Sequence, residues 1–229
     1  MLWHKGWLET RYRLLFALGF VAFFLILQHK PATTQQGIFA FAQFSTPVFV
    51  VMICALLAGA GVVTQPSFVA SKGIHGSTLF TLSLPVSRLR LMSVRAGIGW
   101  LEGMGVIGVL CCGLWLLSPA IRAMVGPGVM LQYGVALIGC SSAIYALSVL
   151  LGTFLDEQWR TWGTMLISVG LWWLSAHTSL PVFLDIFRAM GKGSPLMAHT
   201  MPWNAIGFSL LLAVVLFFAA LRVVRAREY

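Results

Sequence analysis

Six long apolar segments constrain this chain more than any other feature of its sequence. Because about 20 mainly apolar residues cross the hydrocarbon core of a bilayer as a helix, we expect an all-α membrane protein with six transmembrane helices in a single domain, residues 1–229. Only 9% of the residues are charged, which excludes a soluble enzyme because too little polar surface remains to cover its core. The segments are Tyr12 to Gln28, Phe39 to Val63, Val94 to Leu117, Val129 to Leu155, Trp162 to Leu184 and Trp203 to Val224.

The distribution of positive charge predicts how these spans are oriented. If both termini are cytoplasmic, most Lys and Arg residues fall on the inner side: Lys5, Arg11, Arg13, Lys72, Arg88, Arg90, Arg95, Arg160, Arg222, Arg225 and Arg227. The outer loops then hold only Lys30, Arg122, Arg188 and Lys192. An excess of Lys and Arg on the cytoplasmic side is the rule for membrane proteins. The net charge of +9 is therefore explained by membrane topology, and no nucleic-acid partner is expected.

Two segments outside the spans are informative. Residues 1–13 alternate aromatic and charged side chains at helical spacing, which predicts a helix lying in the membrane interface. Residues 64–93 form the longest predicted cytoplasmic connection, and they mix apolar side chains with glycine and proline. Apolar groups in such a loop need a cover, which is either the lipid headgroups or a partner protein.

The sequence LFTLSLPVSRLRLMSVRAG, from Leu79 to Gly97, resembles a stretch of the ABC-2 type permease family, the membrane subunits of ATP-binding-cassette transporters. In that family a Gly-Thr element and a Leu-Ser-Leu-Pro-Val-Ser-Arg run commonly lead into the third membrane helix. Here Gly76-Ser77-Thr78 and the run from Leu82 to Arg88 take those places. The six-span layout, the inside termini and the amphipathic N-terminal helix also match the family.

The resemblance implies a permease subunit that is not itself an enzyme and that couples ATP hydrolysis on a separate ATPase subunit to transport, which in most relatives is export. A second permease subunit, either a copy or a related chain, would complete the transporter. The chain lacks the phosphate-binding pattern GxxxxGK followed by Ser or Thr, so ATP and Mg are expected on the ATPase and no cofactor on this chain. We expect an integral protein of the bacterial inner membrane with both termini in the cytoplasm.

A cytoplasmic coupling helix between the second and third spans, at about Pro66 to Gly76, would contact the ATPase. The residues that we assign to this coupling are Phe68, Ser71, Lys72, His75, Leu84, Pro85 and Arg88. Family members often carry acidic residues just before the Gly-Thr element, whereas Ser71 to His75 contain none. That departure keeps open a non-transporting scaffold subunit of a membrane complex as the alternative function.

A membrane enzyme is a further alternative. Gly139-Cys140-Ser141-Ser142 formally matches the nucleophile element of an intramembrane serine protease. However, Ser141 is expected in the middle of its span, whereas His177 lies near the outer end of the fifth span. A zinc protease would need the HExxH motif, which is absent, and the four cysteines have no spacing typical of a metal site.

Glu102 is the one acidic residue of the third span, and an ionised carboxylate is costly at that place. Arg95 precedes it by two helical turns on the same face, so we predict an intramembrane ion pair that anchors the helix. A role for Glu102 in proton or substrate coupling is the alternative.

Polar and aromatic residues form a stripe on the fifth span, and a similar register recurs on the second. In the family the corresponding spans line the path between two permease subunits, which makes these residues candidates for substrate contact. The alternative is close helix packing, for which membrane helices use small and hydroxyl side chains. The candidates are Gln43 and Val50 on the second span and Thr164, Ser168, Trp172 and Ser175 on the fifth.

Overall fold

The computed structural model describes residues 2–28, 45–58, 88–155, 157–178, 181 and 184–226, and within these ranges the chain is helical with no strand. Four of the helices begin with Pro at the first or second position, where its missing N–H costs no hydrogen bond. The helices are α1 (Leu2–Gln28), α2 (Thr46–Leu57), α3 (Arg88–Leu117), α4 (Pro119–Met124), α5 (Pro127–Leu151), α6 (Glu157–His177), α7 (Ile186–Met190), α8 (Pro195–Ala198) and α9 (Trp203–Ala226).

Within the described residues, three helices are long and apolar enough to cross a membrane, namely α3 from Met92 onwards, α5 and α9. The all-helical, membrane-type character predicted from the sequence is therefore confirmed. These three helices overlap the third, fourth and sixth predicted spans. For the second predicted span, the described part is the shorter apolar helix α2, and its two flanks lie outside the described residues.

Several predicted helix boundaries differ from the structure. The predicted coupling loop, 64–93, is shorter at its end, because residues 88–93 already form the first turns of α3. The N-terminal interfacial helix and the first span form one continuous helix, α1, because neither Pro nor Gly interrupts the chain between Glu9 and Leu14. The fifth span was predicted to reach Leu184, but α6 ends at His177, four residues before Pro181, which cannot extend a helix. The helix α6 has 21 residues but is not among the three helices that are apolar enough to cross a membrane. Its polar stripe makes its mean hydropathy lower than that of α3, α5 and α9.

Cross-helix contacts indicate the relative directions of α1, α2 and α3. Thr10 contacts Glu102, and Leu25 covers Gly113, so α1 and α3 run in the same direction. The carbonyl of Leu57, at the end of α2, lies against Gly99, near the beginning of α3, so α2 runs in the opposite direction.

The later helices continue this alternation. The Tyr145 hydroxyl donates to the Ala96 carbonyl at 2.7 Å, which places the end of α5 beside the beginning of α3. Arg160, near the start of α6, contacts the end of α2, so these two helices are antiparallel. Ile206 covers Gly139, and further along both helices Ser209 binds Cys140, which makes α9 parallel to α5. The helices α1, α2, α3, α5, α6 and α9 thus alternate in direction along the chain.

Positive charge separates between the two ends of this bundle. We call the basic end the one at which α1, α3 and α6 begin and α2, α5 and α9 end. The arginines at the basic end include Arg11, Arg13, Arg90, Arg95, Arg160, Arg222 and Arg225, whereas Arg122, Arg188 and Lys192 lie toward the opposite end. This separation agrees with the sidedness of charge expected from the sequence.

The helix α5 lies at the centre of the bundle and packs against most of the others. Small residues allow the close approach: a side chain at Gly139 would collide with Ile206 of α9. The Ser209 hydroxyl donates to the Cys140 carbonyl at 2.8 Å and accepts from the Ala143 amide at 3.2 Å. Small residues and interhelical hydrogen bonds are the usual means by which membrane helices associate.

Candidate functional site

A cavity of about 210 Å³ lies between α2 and α6, the helices that carry the described members of the predicted path residues. Its lining is apolar except for the hydroxyl of Ser168, whose side chain is 1% exposed and whose oxygen has no hydrogen-bond partner among the described residues. The cavity therefore offers a surface that fits an apolar molecule, with one buried hydroxyl in its wall. Its lining includes Pro47, Val51, Met165, Ser168, Trp172 and Phe187.

The predicted path residues separate into different environments. Ser168 and Trp172 line the cavity. Val50 and Thr164 are fully buried in the helix packing, and the Thr164 hydroxyl donates to the carbonyl of Arg160 at 2.9 Å. Gln43, by contrast, lies outside the described residues. Only part of the stripe can therefore meet a ligand in this arrangement.

Ser175, the last residue of the predicted stripe, forms a hydrogen bond at the end of the bundle opposite the basic end. Its hydroxyl donates to the carboxylate of Asp185 at 2.6 Å. The same carboxylate oxygen accepts from the Arg188 amide at 2.8 Å, which caps the first turn of α7. This capped helix carries Phe187 over the end of the cavity, so Ser175 helps to close the cavity rather than to line it.

The sequence indicates Arg160 only as a charge on the inner side, but the structure gives it a specific contact. It lies one turn before Thr164 on the same face of α6, and its side chain is 1% exposed. The guanidinium donates to the carbonyls of Ala58 and Ala55, the latter at 3.3 Å. These are carbonyls at the end of α2, which have no partner within their own helix. Arg160 therefore ties α6 to the end of α2.

Glu102 makes its described contacts with α1. The Thr10 hydroxyl donates to Oε1 at 2.5 Å, and the Arg13 guanidinium acts on the carboxylate electrostatically. Oε2 is buried and has no hydrogen-bond partner among the described residues. This carboxylate thus connects two helices, α1 and α3. Arg95 is also buried, and its predicted ion pair with Glu102 stays a prediction.

We expect Thr10→Val and Glu102→Gln each to lower the unfolding free energy by about 1 kcal/mol, because each weakens the same interhelical hydrogen bond. The double variant should lose less than the sum of the two, since the bond can be lost only once. Unfolding of the purified chain in mixed detergent–SDS micelles, followed by circular dichroism, measures these losses. Strictly additive losses would contradict the contact, and the same cycle with Arg95→Gln tests the predicted ion pair.

The predicted coupling residues Phe68, Ser71, Lys72, His75, Leu84 and Pro85 lie outside the described residues. Arg88 is the first residue of α3 and therefore lies at the basic end. The segment to which these residues belong connects Ala58, after the end of α2, with Arg88. Its two attachment points are thus at the same end of the bundle.

The serines of the protease-like element are occupied in helix packing. The hydroxyls of Ser141 and Ser142 donate to the Ile138 carbonyl, at 3.0 and 2.9 Å, and both side chains are buried. His177 bonds the Trp173 carbonyl at 2.8 Å near the opposite end of the bundle. Among the described residues nothing brings a base to either serine, so this element offers no support for a serine protease.

In comparisons with known proteins, no protein-family model, no curated protein and no solved structure matches this chain. The functional assignment therefore depends on the chain's own residues and geometry.

Proposed function

We propose that this chain is the membrane-spanning permease subunit of an ABC transporter, which couples ATP hydrolysis on a separate ATPase subunit to the export of a substrate. ATP and Mg would bind the ATPase, and a second permease subunit, identical or related, would complete the transporter. The resemblance of the segment from Leu79 to Gly97 to ABC-2 permeases supports this function, as does the alternating direction of α1, α2, α3, α5, α6 and α9.

One observation supports the proposal most directly, namely that the predicted coupling loop is attached at the basic end on both sides. Ala58, which precedes the predicted loop, is held by Arg160 of α6, and the last residues of the predicted loop, from Arg88, are the first turns of α3. A force applied to the loop by an ATPase would therefore act on the end of α2 and, through Arg160, on α6. These are the two helices that enclose the cavity.

The cavity supports a path at the side of the bundle. It is apolar, its wall includes the Ser168 hydroxyl, which has no hydrogen-bond partner in the part of the chain that the structure describes, and the outer surface of α6 beside it exposes large apolar residues. In a transporter of two permease subunits, α2 and α6 would face the second subunit, and relative motion of these helices would open or close the path. An amphiphilic or lipid-like substrate would suit such a lining.

Lys72→Glu tests the proposal at the predicted coupling loop. We expect the wild-type chain, purified in mild detergent from its native membrane, to carry an ABC ATPase in about equal amount, and Lys72→Glu to reduce that ATPase at least about fivefold, because a reversed charge opposes docking. Quantitative mass spectrometry and ATP hydrolysis by the purified complex measure both effects.

Lys30→Glu is the matched control, because it makes the same charge reversal in a predicted outer loop and should leave the ATPase in place. An equal loss of ATPase from both variants would contradict docking at the coupling loop. If the wild-type chain carried no ATPase at all, the proposal would fail and a scaffold subunit would be favoured.

A further inference from the structure

A second apolar groove, separate from the cavity between α2 and α6, lies between α3 and α9 and has α5 as its floor. Its volume is about 460 Å³, within the range of pockets that bind small molecules. Trp100 lines the α3 wall, Val214 and Phe218 line the α9 wall, and Ala146 belongs to the floor. We refer to it as the α3–α9 groove.

The groove has the shape and surface of an acyl-chain site. On the α9 wall it extends from Leu210 to Phe218, which at the helical rise is a length of about 12 Å along the bundle. Its one buried phenol, that of Tyr145, is already bonded to the Ala96 carbonyl at 2.7 Å, so little unsatisfied polarity remains. The side chains of Val214 and Phe218 are exposed, so the groove opens to the outside of the bundle.

Positive charge lies directly beyond one end of this groove. Arg222 and Arg225 follow Phe218 by one and two turns on the same face of α9, and both are exposed. On the facing helix, Arg90 precedes Ser93 of the groove by one turn and is also exposed. The helix α9 contains no acidic residue from Trp203 to Ala226, and Glu228 lies outside the described residues.

We propose that the α3–α9 groove binds an anionic phospholipid, with one acyl chain along Trp100 and Phe218 and the phosphate held by Arg222, Arg225 and Arg90. Charge complementarity selects this occupant, because guanidinium groups bind phosphate oxygens in a bidentate manner and the apolar channel leads directly to them. A zwitterionic lipid would fill the channel equally well, but its ammonium group would meet the arginines with unfavourable charge. The proposal does not depend on any ATPase partner.

Competition between two lipids on the purified full-length chain tests this site. Phosphatidylglycerol and phosphatidylcholine with identical acyl chains are added in equal amounts, and the bound lipid is measured by native mass spectrometry. We expect the wild type to retain phosphatidylglycerol at least about fivefold over phosphatidylcholine, since each basic residue at a membrane surface contributes roughly that factor. The triple variant Arg90→Gln, Arg222→Gln and Arg225→Gln should bring the ratio to about one.

A charge-matched control distinguishes the groove from general attraction. Arg122→Gln, Arg188→Gln and Lys192→Gln remove three exposed charges from the opposite end, and this variant should keep the wild-type preference. Ala213→Trp, which fills the groove itself, should lower the retention of both lipids. The proposal is overturned if the wild type shows no preference, if both triple variants lose it equally, or if Ala213→Trp retains lipid unchanged.

Discussion

Arg160→Met is expected to lower the unfolding free energy of the chain by about 3 kcal/mol, one of the two largest single effects that we predict. Methionine keeps much of the length of the side chain but removes its donors, so the carbonyls of Ala55 and Ala58 lose their bonds at the end of α2. Each buried polar group left without a partner costs roughly 1 to 3 kcal/mol. Unfolding in mixed detergent–SDS micelles, followed by circular dichroism, measures the loss.

Two further variants identify the cause of this loss. Arg222→Met removes an arginine that is exposed at the same end and should change stability by less than about 0.5 kcal/mol. Arg160→Lys keeps the charge but replaces the planar guanidinium, which can donate to two carbonyls at once, with a compact ammonium group. We therefore expect an intermediate loss of unfolding free energy. Equal losses from Arg160→Met and Arg222→Met would argue against the contact with α2.

The sequence was sufficient to predict the helical class and the separation of positive charge between the two ends of the described bundle, because both follow from local properties. The length of an apolar run sets the length of a membrane helix. The bias of Lys and Arg toward one side can be derived from the sequence without knowing which residues they contact. The junction between residues 1–13 and the first span was harder to predict. An amphipathic pattern and an apolar pattern can follow each other in one helix when no residue such as Pro breaks it, as in α1.

The partners of the buried charges could not be predicted in this way. The pair with Arg95 that spacing along one helix predicts stays a prediction, whereas the observed hydrogen bond of Glu102 comes from Thr10, 92 positions away in the sequence. Arg160 stands 102 positions from Ala58, and nothing near either residue signals their contact. A useful sequence signal did exist, because Arg160 continues the stripe of Thr164 and Ser168 by one turn and so must lie on the buried face.

Gly99→Ala is the other substitution with a large expected effect. A methyl group at this position would fall within the contact radius of the Leu57 carbonyl oxygen and 2.6 Å from the Tyr145 hydroxyl. Neither group can move freely, because the carbonyl belongs to the backbone of α2 and the hydroxyl is bonded to Ala96. Overpacking of this kind costs about 1 to 3 kcal/mol, so we expect a loss of about 2 kcal/mol after the better helix propensity of alanine is included.

Gly105→Ala provides the matched control, because it makes the same change in the same helix where no atom lies within 4 Å. It should leave stability unchanged or raise it by up to about 1 kcal/mol, since alanine favours helix more than glycine does. The difference between the two variants therefore isolates the contact of α3 with α2 and α5 from the intrinsic preference of the helix. If Gly99→Ala were as stable as Gly105→Ala, the three helices could not be packed as closely as the Leu57 and Tyr145 contacts require.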